Sequence, residues 1–465
     1  MILYRRAALA AVFCLGAFTQ PAITSSYEQQ VPILKDFDET GVLGGLYRPN
    51  STSARSRIAV YVMHAEQDYT SFVACTELPK RGYTTFCANN EASKYGYMSD
   101  LNFEDMMTEI KIGMVWLRNL TDIDKVVLLG HSGGGAMMAA YQNIAENGVS
   151  ACNGPEKIYP CSDAMAGLEP ADGLLLLDAN YGLSTMALLS LNPAIGDETD
   201  ASKLNQSLSV YNPANGFKNN TQSNYTAEFK QRFQQGVVAR NNRILQYAQG
   251  RLKALEAGKG MFGDDEPLTI PASLYVGFNN LFFAQDTRYL HHTTYAWPLL
   301  RKNGTTTQIV HSVRVPGNFK DYSNNWESGA LKTTIRRFLS TFAIRVTDEF
   351  NIKTDNIEGI DYASSQTAPH ASVQGIHVPL LTIGMTGHYE YLNAEKLHLN
   401  AVSNDTAIAF VEGAEHTINT CTDCFSDTCS SSRVVNGLAQ CERLHGMTAP
   451  DHVIILCEGC TKLRA

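Results

Sequence analysis

Six stretches of the chain are continuous apolar runs, short and rich in β-branched or large aliphatic residues. They are "RIAVYVMH" (57–64), "GYTTFCANN" (82–90), "KVVLLG" (125–130), "DGLLLLDAN" (172–180), the start of "HVPLLTIGMTGHYE" (377–390) and "DTAIAFVEGAEH" (405–416). Such runs have the character of strands buried on both faces, because a strand with one wet face would alternate. Between them the period changes to that of a helix. Phe103, Met106, Met107, Ile110, Met114 and Leu117 recur three and four apart, predicting a helix over about 102–120. "CTELPKRG" reads as the end of another, closed by Gly82, and small and apolar residues at helical spacing follow residue 132. Strand and helix alternate, which implies a parallel sheet with helices on both faces.

After residue 180 the alternation breaks. The pattern there predicts a long amphipathic helix over about 226–257, a hairpin around Asn303-Gly304 and a second helix over about 331–342, before the buried strands resume. Residues 181–352 therefore read as an insertion with its own architecture. It divides a core made of 26–180 and 353–420.

One corner carries chemistry. "VVLLGHSGGG" runs from strand into helix through Gly130-His131-Ser132-Gly133-Gly134. A serine hydroxyl is a poor nucleophile until a base takes its proton, and it must project into accessible space to reach a carbonyl. A strand-Gly-x-Ser-x-Gly-helix turn does this by bending so tightly that only small neighbours fit, while the N–H groups opening the helix point to where an oxyanion would form. Ser132 is the candidate nucleophile.

On this elbow, and on the order serine, acid, histidine, the chain resembles the α/β-hydrolase superfamily from about residue 40 to 445. The resemblance implies an α/β fold with an eight-stranded, mostly parallel sheet, a large and mainly helical lid inserted at 181–352, and hydrolysis of an ester or lactone without a metal or other cofactor. His416, just past the last strand, matches the general base. The oxyanion donors would be the N–H of Gly133 and, from "HAEQDY", that of Glu66, with Ala65 as a rival; His64 would shape this loop. For the acid, Glu390 is nearest to the customary place, about two residues late, and Asp178 at the end of "LLLLDAN" is the alternative used by a minority of members. A cofactor-free lyase or isomerase could use the same serine and histidine, and a silent binding protein could retain the fold.

Composition bears on compartment and partners. The 465 residues carry a formal net charge of −9 with no dense Lys/Arg run, which argues against a nucleic-acid or anionic-membrane partner and makes a neutral or cationic small molecule the expected substrate. Residues 1–25 read as a secretory signal, with Arg5 and Arg6 ahead of an apolar run too short to span a bilayer. Sequons at Asn50, Asn119, Asn205, Asn219, Asn224, Asn303 and Asn404 fit export as N-glycosylation candidates. Of the eleven cysteines, Cys14 leaves with the signal, and an even ten remain. Cys75 with Cys87 and Cys152 with Cys161 are the natural local partners for disulfides. Cys421, Cys424, Cys429, Cys441, Cys457 and Cys460 make a cysteine-rich tail over 421–465. Its two C-x-x-C motifs have zinc-ligand spacing, but an oxidising compartment favours disulfides. The chain is expected to be secreted, with no transmembrane segment.

Overall fold

The computed structural model describes residues 33–94, 100–200, 202–219, 221–273, 282–301, 304–316 and 329–417. The expected signal segment, Asn303 and the six tail cysteines lie outside these residues. In chain order the first strands are β1 (Ile33–Asp36), β2 (Leu43–Tyr47), β3 (Ile58–His64), β4 (Thr84–Asn89), β5 (Lys125–His131) and β6 (Gly173–Leu177). Then come β7 (Pro267–Pro271), β8 (His292–Arg301), β9 (Gly304–His311), β10 (Ala330–Thr334), β11 (Arg345–Ile352), β12 (Ile357–Asp361), β13 (Leu380–Met385) and β14 (Thr406–Val411). The principal helices of the first part are α1 (Val73–Glu77), α2 (Phe103–Arg118), α3 (Gly133–Asn147), α4 (Leu183–Leu189) and α5 (Ala227–Glu256).

The continuous apolar runs are strands covered on both sides. In β3 and β5 every residue after the first is buried, and in β6 and β13 every residue is. They lie side by side in a sheet ordered β1-β2-β4-β3-β5-β6-β13-β14-β8-β9. From β4 to β8 the neighbours run parallel, and β1, β2 and β9 pair antiparallel at the two edges. The helix expected over 102–120 is α2, opened by the Asn102 side chain accepting from the Glu104 N–H at 3.2 Å. Its Met106, Met107, Ile110, Met114 and Leu117 are buried.

Three expectations change. Among the described residues the sheet has ten strands rather than eight. Among the described residues the inserted region 181–352 is not mainly helical: besides α4, α5 and short helices at Phe282–Gln285 and Ile335–Arg337 it supplies five strands, and its β8 and β9, with Arg301 opposite Gly304, extend the main sheet beside β14. The helix expected over 331–342 begins as a strand, because Leu331 and Thr333 alternate inward and β7 offers a partner edge, placing Leu331 opposite Ile270. Only 335–342 coils, ending in a π-helical turn at Phe338–Phe342. The long helix expected over 226–257 is α5, whose Thr226 side chain accepts from the Phe229 N–H at 3.1 Å.

Both local disulfides are formed, with Cα–Cα distances of 6.1 Å for Cys75–Cys87 and 5.4 Å for Cys152–Cys161. The first ties α1 to β4. Among the described residues no helix is long and apolar enough to cross a membrane.

Candidate functional site

The ends of β5, β6, β13 and β14 bring four loops to one edge of the sheet. At the end of β5 the chain turns into α3 so sharply that Ser132 takes φ +53°, a left-handed conformation that a non-glycine residue rarely adopts. Glycine neighbours make the turn possible. A Cβ on Gly130 would stand 2.5 Å from the Gly134 carbonyl oxygen, and one on Gly134 would stand 2.5 Å from that of Met63. Ser132 is also braced by its backbone, donating to Leu177 O at 3.4 Å and accepting from the Asn180 N–H at 3.1 Å.

His416 meets this serine. Its Nε2 lies 2.8 Å from Ser132 Oγ and its Nδ1 lies 2.7 Å from Asp178 Oδ2. Asp178 is wholly buried at the end of β6, itself at φ +41°. Its Oδ1 accepts from the Met385 N–H at 2.9 Å, which fixes the carboxylate between two donors. Burial raises its pKa, and the hydrogen bond and charge of His416 work the other way. The loop after Asp178 is pinned by Asn393, whose amide donates to Ala179 O at 3.0 Å and Asn180 O at 2.8 Å.

Of the two candidate carboxylates, the structure therefore brings Asp178 to Nδ1, and Glu390 to the opposite nitrogen. Glu390 Oε2 stands 3.5 Å from His416 Nε2 and makes no hydrogen bond. The reason is the path of the chain after β13. The turn at residues 386–390 places His388 against the imidazole, with ring centroids 4.3 Å apart, so Glu390 arrives on the far side of it. Burial pushes the Glu390 carboxyl up to about 7 despite the charge of His416. Burial alone would lower His416, but the Glu390 charge and the hydrogen bond and charge of Asp178 outweigh it and lift the imidazole to about 9.

The expected second oxyanion donor is also revised. The Glu66 N–H donates to Nδ1 of the buried His64 at 3.0 Å, and the Gln67 N–H donates to the same atom at 2.9 Å. Asn90 locks the rest of this loop, donating to Ala65 O at 3.0 Å. His64 thus holds the loop, and burial lowers it to about 3, so it stays neutral. The Glu66 carboxylate lies over Gly133, where a Cβ would meet its Oε2 at 3.0 Å. Gly133 itself opens α3, directly after the serine.

His131, the variable residue of the elbow, plays a part that the sequence reading does not assign. It is buried, and its Nε2 contacts the His416 carbonyl oxygen at 2.6 Å while its Nδ1 contacts the Tyr69 hydroxyl at 2.5 Å. A carbonyl can only accept, so Nε2 carries the proton and Nδ1 accepts from Tyr69. The signal for this was present as a histidine inside the elbow, but its partners are 62 and 285 residues away in sequence. Donor atoms of Asp178, His388, Glu390 and His416 lie within 4.8 Å of one another. Asp178 and His416 face each other across a hydrogen bond there and share a proton.

No family profile matches the sequence, and no curated protein does. Among solved structures the chain is similar to a siderophore hydrolase, EstB from Aspergillus fumigatus, at 12% identity over 88% of this chain and 95% of that one, with a TM-score of 0.34. It is similar to a soluble variant of monoglyceride lipase from Saccharomyces cerevisiae at 12% identity over 84% and 89%, with a TM-score of 0.36. A likeness to Est1E from Butyrivibrio proteoclasticus, at 13% identity and a TM-score of 0.25, covers 35% of this chain and only 57% of that one.

Proposed function

We propose that this chain is a serine hydrolase that cleaves a carboxylic ester or lactone through Ser132, His416 and Asp178. The observation that carries the reading is the single imidazole bonded on one nitrogen to a buried carboxylate and on the other to a serine hydroxyl held on a strained elbow. Asp178 fixes the proton on Nδ1, which leaves the Nε2 lone pair for the serine. As Ser132 Oγ bonds to the acyl carbon, its proton passes to Nε2 and the carbonyl electrons move onto oxygen. The N–H of Gly133 at the start of α3 stabilises that oxyanion. Collapse breaks the bond to the leaving oxygen, which takes the proton from Nε2. Water then repeats the sequence on the acyl-enzyme and restores Ser132. In this reading no metal or organic cofactor takes part.

The segment 181–352 acts in this reading as the cover that bounds the substrate pocket, as insertions over the carboxyl ends of parallel strands do. Secretion with N-glycosylation belongs to the same proposal. Two formed disulfides support it, and so do the described sequon asparagines Asn50, Asn119, Asn205, Asn219, Asn224 and Asn404, each of which is exposed.

The deciding experiment reacts the secreted protein with a fluorophosphonate probe and screens p-nitrophenyl esters of graded chain length. Labelling at Ser132 together with ester turnover is expected. Neither labelling nor turnover would defeat the proposal.

A further inference from the structure

Among the described residues, Arg314 is a cation without an ion pair. Its Nε and Nη1 are shut off from water and have no hydrogen-bond acceptor, and its one side-chain bond runs from Nη2 to the Tyr289 carbonyl. Among the described residues it forms no ion pair. The nearby carboxylate of Asp286 is already spent, taking two hydrogen bonds from Arg288 at 2.7 and 2.8 Å and one from Gln222 at 2.9 Å. Burial lowers the Arg314 pKa to about 10, since only tyrosines and Asp286 act against it. An unpaired charge with buried donors is costly to keep, because each lost water contact has no replacement. A residue retained at that cost is one whose partner arrives from outside.

Its position ties it to the reacting centre. Beyond β9 the chain lies along the end of β13: Val313 donates to Thr386 O at 2.8 Å, and Ser312 Oγ bonds the same carbonyl at 3.1 Å. Thr386 leads directly into the turn that carries His388 and Glu390. His388, which stacks on His416, feels the Arg314 charge, as do the rings of Tyr181, Tyr389 and Tyr391. Tyr181 follows Asp178 by three residues and is almost wholly buried, and its hydroxyl is likewise without a partner. A guanidinium and a phenol with buried, unpartnered donors therefore lie beside the loops of the candidate triad.

We infer that Arg314, aided by the Tyr181 hydroxyl, binds a carboxylate borne by the substrate, so that the substrate is an ester with a free acid group at its far end. This rests on the hydrolase reading above and names its substrate class. The unpartnered Nε and Nη1 lie on different edges of the guanidinium, so a carboxylate accepts from one of them, in a fork with the second N–H of Nη2. The acid must stand several bonds from the scissile carbonyl, because Glu390 already stands 3.5 Å from His416 Nε2 and would repel a second anion there.

The test compares the p-nitrophenyl monoesters of succinic, glutaric and adipic acids with their methyl-capped counterparts. In the wild-type protein the acid forms of the longer two should exceed the capped forms in kcat/KM by about tenfold or more, the scale of a charge-assisted hydrogen bond. Arg314→Gln should bring that ratio close to one, and Arg314→Lys should restore part of it. A wild-type ratio at or below one overturns the inference, as does a ratio that survives Arg314→Gln. Should Arg314→Gln fail to fold, monomethyl glutarate as a competitive inhibitor of wild-type turnover of a capped ester gives an independent answer, and absence of inhibition overturns it too. Capped-ester turnover that depends on Ser132 leaves the hydrolase reading intact in either event. Loss of all turnover and of fluorophosphonate labelling overturns both.

Discussion

The backbone carbonyl of His416 is held by the side chain of His131, whose Nε2 donates to it at 2.6 Å. The residue before the candidate nucleophile thereby fixes the main chain of the candidate base, and Tyr69 fixes His131 in turn. Removing this clamp should disturb the placement of the imidazole without touching substrate. His131→Phe keeps the buried aromatic volume but not the two hydrogen bonds. Its kcat should fall by about tenfold to a hundredfold, the scale set by misplacing a catalytic group by about 1 Å, while KM changes little. Steady-state kinetics separate the two, and an unchanged kcat would show that the clamp is only structural.

The identity of the acid is decided by comparing two conservative variants. Asp178→Asn should lower turnover by roughly 10⁴-fold, because the amide can present its N–H to Nδ1 and stabilise the wrong tautomer. Glu390→Gln leaves the Asp178–His416 bond in place, so its turnover should stay far above that of Asp178→Asn in the same ester assay. If the two variants fall equally, Asp178 has no special claim to the role.

The sequence made the central strands, α2, α5 and both local disulfides legible, because continuous apolar runs, helical periods and short cysteine spacings are local signals. The elbow was legible for the same reason, as glycines at 130 and 134 leave few other uses for the serine between them. The carboxylate partner was not. Asp178 and Glu390 both stand at strand ends, and the distinction lies in which face of the His416 ring each loop reaches. That depends on a turn whose course is set by His388 stacking on His416, a contact between residues 28 apart. The engagement of the Glu66 N–H was not legible either: it donates a hydrogen bond to Nδ1 of His64, two residues earlier. Residues 331–334 carried a helical period and became a strand because β7 offered an edge.

Turnover should depend on pH through His416, which must be neutral to accept the serine proton. The carboxylates of Glu390 and Asp178 favour its charged form and lift it to about 9. The acid limb of kcat/KM should therefore lie above the ordinary imidazole range, with activity rising as pH rises through it. Glu390→Gln removes one of the anions that stabilise the imidazolium, so the limb should move to lower pH by about one unit or more. A pH profile of the variant that is superimposable on the wild type would mean that the Glu390 charge does not reach Nε2.

The elbow should resist even one added carbon. A methyl at residue 134 would lie 2.5 Å from the Met63 carbonyl oxygen, which belongs to β3, buried from its second residue on and paired on both sides, and cannot withdraw without parting strands. Gly134→Ala must therefore push α3 away from the sheet, and overpacking of this kind costs about 1–3 kcal/mol. The same displacement would carry the Ser132 backbone with it, because α3 begins at the next residue. Loss of stability and loss of activity should thus appear together in Gly134→Ala, whereas Ser132→Ala, which changes only a partly exposed hydroxyl, should abolish turnover and leave stability nearly unaltered. Urea denaturation of both variants beside their ester kinetics makes the comparison, and a Gly134→Ala protein as stable and as active as wild type would refute the steric account of the elbow.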